Sequence, residues 1–127
     1  MKVAVIGSRG LYVEIEAYLP KETTVIISGG AKGIDTLAEE YADKNGIAKL
    51  IFLPEYERFG KSAPIIRNKK IVEEADFIVA LWDGKSRGIK FTIEYARKRK
   101  KPVRIFFIEG TNKRDETHVI AFRLFVS

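Results

Sequence analysis

The sequence contains no cysteine, one histidine, one methionine and one tryptophan among its 127 residues. The absence of cysteine excludes disulfide bonds, cysteine nucleophiles and cysteine-bound zinc or iron–sulfur clusters, and it fits a cytoplasmic protein. Because the single imidazole, His118, leaves too few ligands for a transition metal, we expect neither a metal site nor a cofactor. No apolar run approaches the roughly 20 residues of a spanning helix, so we expect no membrane partner.

The charge balance is basic, with 23 Lys and Arg against 17 Asp and Glu, which gives a formal net charge of +6. Such a charge attracts phosphate-bearing partners over long distances, although it also serves simple solubility. The apolar share of 46% and the charged share of 31% are those of a globular protein of one-domain size. We therefore expect a single domain over residues 1–127, without repeats or linkers.

Short β-branched runs alternate with longer amphipathic segments. The runs predict strands at residues 3–6, 25–27, 50–53, 77–81 and 103–108, and their nearly continuous apolar character predicts burial on both faces. Helices are predicted at residues 11–19, 34–45, 63–74 and 87–100. The alternation indicates an α/β, Rossmann-like, three-layer domain with a five-stranded parallel sheet, expected in the order 3-2-1-4-5.

The last apolar run, residues 119–126, follows a polar segment that is too short for a crossover helix. It is therefore predicted to pair antiparallel to the fifth strand at the edge of the sheet. We expect the two strands to form a hairpin with a long loop, and His118 to lie in this hairpin. Phe122, Leu124 and Phe125 would leave this edge prone to association. We expect either a homodimer through this edge or a covering helix.

Three glycine-rich loops follow predicted strands, at residues 7–10, 28–33 and 82–88. Each contains a serine and a cation. Glycine lets backbone N–H groups approach an anion, and the helix that follows adds a partial positive charge. One such loop would be ordinary turn chemistry, but three at the carboxyl edge of a parallel sheet predict a phosphate site.

Two common phosphate-binding motifs are absent. Residues 7–10 lack the G-x-G-x-x-G spacing of a dinucleotide fold. The Gly-Lys-Ser runs at residues 60–62 and 84–86 lack the leading glycine of a P-loop, since Glu55 and Val79 stand there.

Several segments in a fixed order resemble the SLOG superfamily, closest to its YspA-like branch. They are Gly7-Ser8-Arg9, residues 28–35, residues 60–68, Ala75-Asp76 and Ser86-Arg87-Gly88, and the resemblance covers roughly residues 1–103. It implies a Rossmann-like fold that binds nucleotides or nucleotide-derived ligands. Relatives include DNA-processing protein A, which binds single-stranded DNA, and the LOG phosphoribohydrolases.

The resemblance also adds Arg67-Asn68 to the site, because both relatives keep an arginine at the corresponding place. The predicted ligand- and phosphate-binding residues are Gly7, Ser8, Arg9, Ser28, Gly29, Gly30, Ala31, Lys32, Gly33, Arg67, Asn68, Trp82, Asp83, Gly84, Ser86, Arg87 and Gly88. The favoured function is a nucleotide-binding or nucleotide-sensing module. The alternative is a module for single-stranded nucleic acid, in which these cations and Lys85 bind phosphates and Tyr56, Phe59 or Trp82 stacks on a base.

A third alternative is a LOG-like hydrolase of nucleotide N-glycosides. In the LOG motif a glutamate acts on the ribosyl bond, whereas here Thr92 stands at its position. Glu94 is two helical residues further on, about 200° around the helix, so it is a poor replacement. Asp83 could replace it, contact a ribose hydroxyl, orient Arg9 or serve only the turn.

Two further features have structural interpretations. Asp35 is expected to stabilise a helix N-terminus, with a magnesium ligand as the lesser alternative. The basic run at residues 97–101 lies at a predicted helix C-terminus, away from the loops, and indicates a solvated helix end.

Overall fold

The computed structural model of the protein describes the backbone of residues 1–110 and 119–126 and the side chains of residues 1–108. The strands are β1 (Lys2–Gly7), β2 (Val25–Ser28), β3 (Ala48–Ile51), β4 (Phe77–Trp82), β5 (Val103–Gly110) and β6 (Val119–Val126). The helices are α1 (Ile34–Lys44), α2 (Tyr56–Phe59), α3 (Ala63–Glu74) and α4 (Arg87–Lys98), and 3-10 turns lie at Ile15–Tyr18 and Gly60–Ser62.

All six strands form one sheet in the order β3-β2-β1-β4-β5-β6. The first five are parallel, with β1 between β2 and β4, which confirms the predicted α/β, Rossmann-like order 3-2-1-4-5. β6 pairs antiparallel with β5, from Val103 opposite Val126 to Gly110 opposite Val119, as the hairpin prediction requires. Residues 111–118, with His118, lie outside the described residues, and the dimer through this edge stays a prediction.

The core has two layers because alternate residues of the central strands point to opposite faces of the sheet. On one face, Val3 and Val5 of β1 pack with α1. On the other, Ala4 and Ile6 pack with α3 and α4. Each large apolar side chain that is fully buried contributes roughly 1.5–3 kcal/mol. The predicted burial of β1 and β4 on both faces is therefore correct.

The prediction for the third strand was wrong in position and in burial. The strand runs over Ala48–Ile51 rather than residues 50–53, and most of it is exposed. It is an edge strand, and among the described strands it pairs only with β2. As a result Ile51 remains 36% exposed and Leu53, just beyond the strand, 65% exposed.

The helix predicted at residues 11–19 is reduced to the turn Ile15–Tyr18. Leu11, Val13 and Ile15 are all buried, a period of two that extended backbone produces and a helix does not. The predicted C-terminal ends of the other helices are close to the observed ones. α1 ends at Lys44 before Gly46, which is left-handed with a φ of 66°. α4 ends at Lys98 because Lys100 has a φ of 58°.

The basic run at residues 97–101 lies at the amino end of the strands, opposite the glycine-rich loops. The Lys101 ammonium donates to the carbonyls of Glu73 at 3.1 Å and Ala75 at 2.8 Å, so it caps the C-terminus of α3. Within the part of the chain that the structure describes, no helix combines the length and the apolar character needed to cross a membrane.

Candidate functional site

The three glycine-rich loops follow β1, β2 and β4, which are neighbours in the sheet. Because the strands are parallel, the loops lie side by side at one edge. Hydrogen bonds and close packing between these loops bring the predicted residues together.

Ser8 joins the loop after β1 to the loop after β4. Its N–H donates to the Leu81 carbonyl at 3.0 Å, and its Oγ accepts the N–H of Asp83 at 3.1 Å. The residue is only 3% exposed. Ser8 therefore positions the loops and does not present its hydroxyl at the surface.

Asp83 organises the turn that follows β4. Its Oδ1 accepts the N–H groups of Lys85 at 2.8 Å and Ser86 at 2.9 Å. Burial acts to raise the pKa of Asp83, but the N–H groups of Lys85 and Ser86 and the Ser8 hydroxyl lower it more, so this pKa lies below its ordinary value. These contacts support the turn interpretation of Asp83.

Trp82 belongs more to the core than to an open binding surface. Its ring lies 5.1 Å from the Phe107 ring, and its Nε1 donates to the Ser86 carbonyl at 3.0 Å. The Ser86 Oγ in turn accepts the N–H of Ile89 at 3.3 Å and caps the N-terminus of α4. These bonds fix the end of the loop where Arg87 and Gly88 begin the helix.

Asp35 organises the loop after β2. Although it lies in the first turn of α1, its Oδ2 accepts the N–H groups of Gly29 at 3.2 Å and Ala31 at 3.0 Å. The residue is 8% exposed. Besides its expected place at the helix N-terminus, Asp35 holds the loop after β2 in shape. Its carboxylate already occupies two loop N–H groups, so those groups do not bind a phosphate.

Arg67 reaches the same loop from α3. Its guanidinium donates to the Gly29 carbonyl, and its Nε donates to Oδ1 of Asn68 at 2.7 Å. A Cβ on Gly29 would lie 2.5 Å from Nη1 of Arg67, so the glycine permits this close approach. The predicted pair Arg67-Asn68 therefore contacts the predicted loop, with Asn68 orienting the guanidinium.

Burial and neighbouring charges shift the pKa values of two residues at this loop. Burial raises the pKa of Asp35 to about 6, although the Ala31 N–H, the Arg67 guanidinium and the Gly29 N–H all act to lower it. Glu39 adds to the rise, and its carboxylate accepts the hydroxyl of the buried Ser28 at 2.6 Å. Burial also lowers the pKa of Arg67, and nearby Arg9 contributes to the decrease.

The loops after β1 and β2 touch through glycine. Gly33 precedes α1 with a φ of 84°, and a Cβ there would lie 2.3 Å from the Arg9 carbonyl oxygen. A Cβ on Gly7 would lie 2.3 Å from Cγ1 of Ile34, so the first turn of α1 packs directly on the end of β1. The N-cap residue of α1 is Gly33, which has no side chain to cap the helix.

Four of the predicted cations surround this edge and are exposed. They are Arg9, Lys32, Lys85 and Arg87. None of them forms an ion pair with another residue whose side chain the structure describes. With the half-buried Arg67, they make the edge electropositive, which favours an anionic ligand.

The position of the LOG glutamate is occupied by a structural threonine. Thr92 is 1% exposed, and its hydroxyl donates to the Gly88 carbonyl at 2.8 Å. Glu94 is exposed on the other side of α4, as the helical angle predicts. Among the described residues, no cluster of His, Asp or Glu is placed to bind a metal ion.

A family model, the YspA, cpYpsA-related SLOG family (YAcAr), matches residues 1–59, slightly less than half of the chain. The match confirms the SLOG resemblance, in its YspA-like branch. The SLOG match contains two of the three loops and Asp35. The segments from Gly60 onward lie beyond it, and their resemblance stays a prediction. Comparison with curated proteins and with solved structures gave no match.

Proposed function

We propose that the protein is a nucleotide-binding or nucleotide-sensing module whose phosphate site lies at the carboxyl edge of the sheet. SLOG similarity suggests a nucleotide-related binding role. The observation that carries the finer proposal is that α1 begins at Gly33, without a side-chain cap, beside exposed cations that form no ion pair with a described side chain: Arg9, Lys32, Lys85 and Arg87.

Each part of this edge has a distinct role in the proposal. The N–H groups at the start of α1 bind a phosphate, and the exposed cations neutralise its charge. Arg67 adds positive charge next to Gly29. Hydrogen bonds to the Gly29 carbonyl and to Asn68 fix the orientation of its guanidinium. Ser8, Asp35 and Asp83 do not contact the ligand and instead position the loops.

Binding can be tested by thermal shift and titration calorimetry with mono-, di- and cyclic nucleotides, nucleotide sugars and a single-stranded oligonucleotide. A ligand at about 100 times its Kd adds roughly 2.7 kcal/mol to the folded state, which is several degrees in Tm for a domain of this size. Arg9→Ala and Arg67→Ala should weaken binding.

The matched control is Arg97→Ala, which removes the same charge from an exposed position at the far end of α4. It should bind like the unchanged protein. If Arg9→Ala and Arg67→Ala both retain full affinity, the proposed site is wrong.

One observation favours single-stranded nucleic acid as a second candidate. Tyr56 is 56% exposed, and the neighbouring Arg58 and Lys61 are exposed as well, so aromatic and cationic groups continue beyond the loops. Affinity for an oligonucleotide should then grow with its length and fall steeply with ionic strength, whereas a mononucleotide shows a shallow salt dependence.

A further inference from the structure

A cleft of about 300 Å³ lies between the end of β3 and helices α2 and α3. Six of its nine lining residues are apolar, among them Phe52, Leu53, Phe59 and Ile66. Polar groups contribute at the sides, among them Arg67. This volume is at the lower end of the range for small-molecule sites, which combine apolar side chains with polar groups that orient the ligand.

The cleft adjoins the loop after β2. Arg67 lines the cleft and also donates to the Gly29 carbonyl of that loop. A Cβ on Gly30 would lie 2.5 Å from Cδ2 of Leu53, so the loop packs against the cleft wall. A ligand bound at the loop therefore has an apolar surface directly beside it.

Exposure and charge both indicate what the cleft accepts. Leu53 is 65% exposed, an apolar surface that a bound apolar group would cover. The Phe59 ring has the Arg58 guanidinium 5.0 Å and the Lys70 ammonium 5.8 Å from its centroid. Lys70 pairs with Glu55 at 3.3 Å, so Arg67 is the lining cation that forms no ion pair with a described carboxylate. The combination fits an apolar ring joined to an anionic group.

We propose that this cleft is the base subsite of the nucleotide site. The nucleobase packs on Leu53, Phe59 and Ile66, Arg67 lies between base and phosphate, and the phosphate binds at the N-terminus of α1. This inference rests on the proposed function and adds to it that the base contributes affinity at a place separate from the loops.

The test compares ligands with and without a base. Titration calorimetry would measure the Kd of ribose 5-phosphate and of the 5′-monophosphates of adenosine, guanosine, cytidine and uridine. We expect at least one nucleotide to bind about tenfold more tightly than ribose 5-phosphate, since burial of one apolar group is worth about that factor.

Leu53→Asp should remove this preference by placing a carboxylate on the cleft wall, so that no nucleotide binds more tightly than ribose 5-phosphate. The matched control is Ile65→Asp, at another exposed apolar residue, 43% accessible and outside the cleft lining, which should retain the preference. Circular dichroism would check that both variants are folded.

The outcomes separate the two proposals. If ribose 5-phosphate binds but no nucleotide binds more tightly, or if Leu53→Asp retains the preference, the base subsite is wrong and the phosphate site remains. If none of the five compounds binds, both proposals are wrong.

Discussion

Asp35 and Arg67 bind the two polar groups of the same residue, Gly29. The carboxylate accepts its N–H at 3.2 Å, and the guanidinium donates to its carbonyl. Helix α1 and helix α3 thus fix the loop after β2 from two sides. Since the buried Asp35 and the half-buried Arg67 carry opposite charges, the protonation state of one affects the other.

The first prediction concerns Asp35 and pH. Burial raises its folded pKa to about 6, whereas an unfolded aspartate titrates near 4. The folded state therefore binds this proton more tightly, and the stability linked to the group is present at low pH and lost as pH rises through about 6. The unfolding free energy of the unchanged protein minus that of Asp35→Asn should fall by roughly 2 kcal/mol from pH 4 to 7.

Urea unfolding at four pH values between 4 and 7 would measure this difference. Asp83→Asn is the internal control, because the pKa of Asp83 is lowered. The stability that Asp83 contributes is present above its unfolded pKa, near 4, and is lost only below it, so its difference should stay nearly constant between pH 4 and 7. A difference for Asp35→Asn that is constant with pH would contradict the raised pKa.

The second prediction separates backbone conformation from close packing. Gly46 and Gly33 both have positive φ, 66° and 84°, but a Cβ on Gly46 meets nothing within 4 Å, whereas one on Gly33 meets the Arg9 carbonyl. Gly46→Ala should lower the free energy of unfolding by about 1 kcal/mol. Gly33→Ala should lower it by roughly 3 kcal/mol, because backbone must also move. Equal losses in chemical denaturation would show that the loops after β1 and β2 are not in contact.

The third prediction compares two serines at helix N-termini. The Ser86 side chain caps α4, whereas the Ser62 side chain makes no capping hydrogen bond to α3. Ser86→Ala should therefore cost about 1 kcal/mol of unfolding free energy, and Ser62→Ala close to nothing. Thermal unfolding of the two variants would measure this, and a larger loss for Ser62→Ala would refute the assignment of the cap.

The sheet order could be predicted because the central strands carry the clearest signal. β1 and β4 are buried on both faces, so their sequences are continuously apolar. The same rule failed for the third strand, since an apolar run cannot show whether a strand is central or at an edge. The helix prediction failed at residues 11–15 for another reason. The apolar side chains there alternate, which fits extended backbone, and the fold shows that they are buried.

The site was predictable in its backbone and less so in its side chains. Glycines mark places where chains approach closely, which is why Gly29 and Gly33 could be identified. Serine and aspartate give no such signal, because each can bind a ligand or a neighbouring loop. Only the three-dimensional contacts show that Ser8 and Ser28 are buried partners of Asp83 and Glu39, and that Asp35 turns toward its loop.

The bond between Ser8 and Asp83 joins residues 75 positions apart in the chain. β1, which leads into Ser8, pairs with β4. Arg67 reaches Gly29 from α3, and both β4 and α3 follow residue 59 in the chain. A fragment that stopped at Phe59 would contain the whole family match and two glycine-rich loops, yet β1 would be an open edge with unpaired backbone groups. The recognisable half of this chain therefore depends on the other half to become a site.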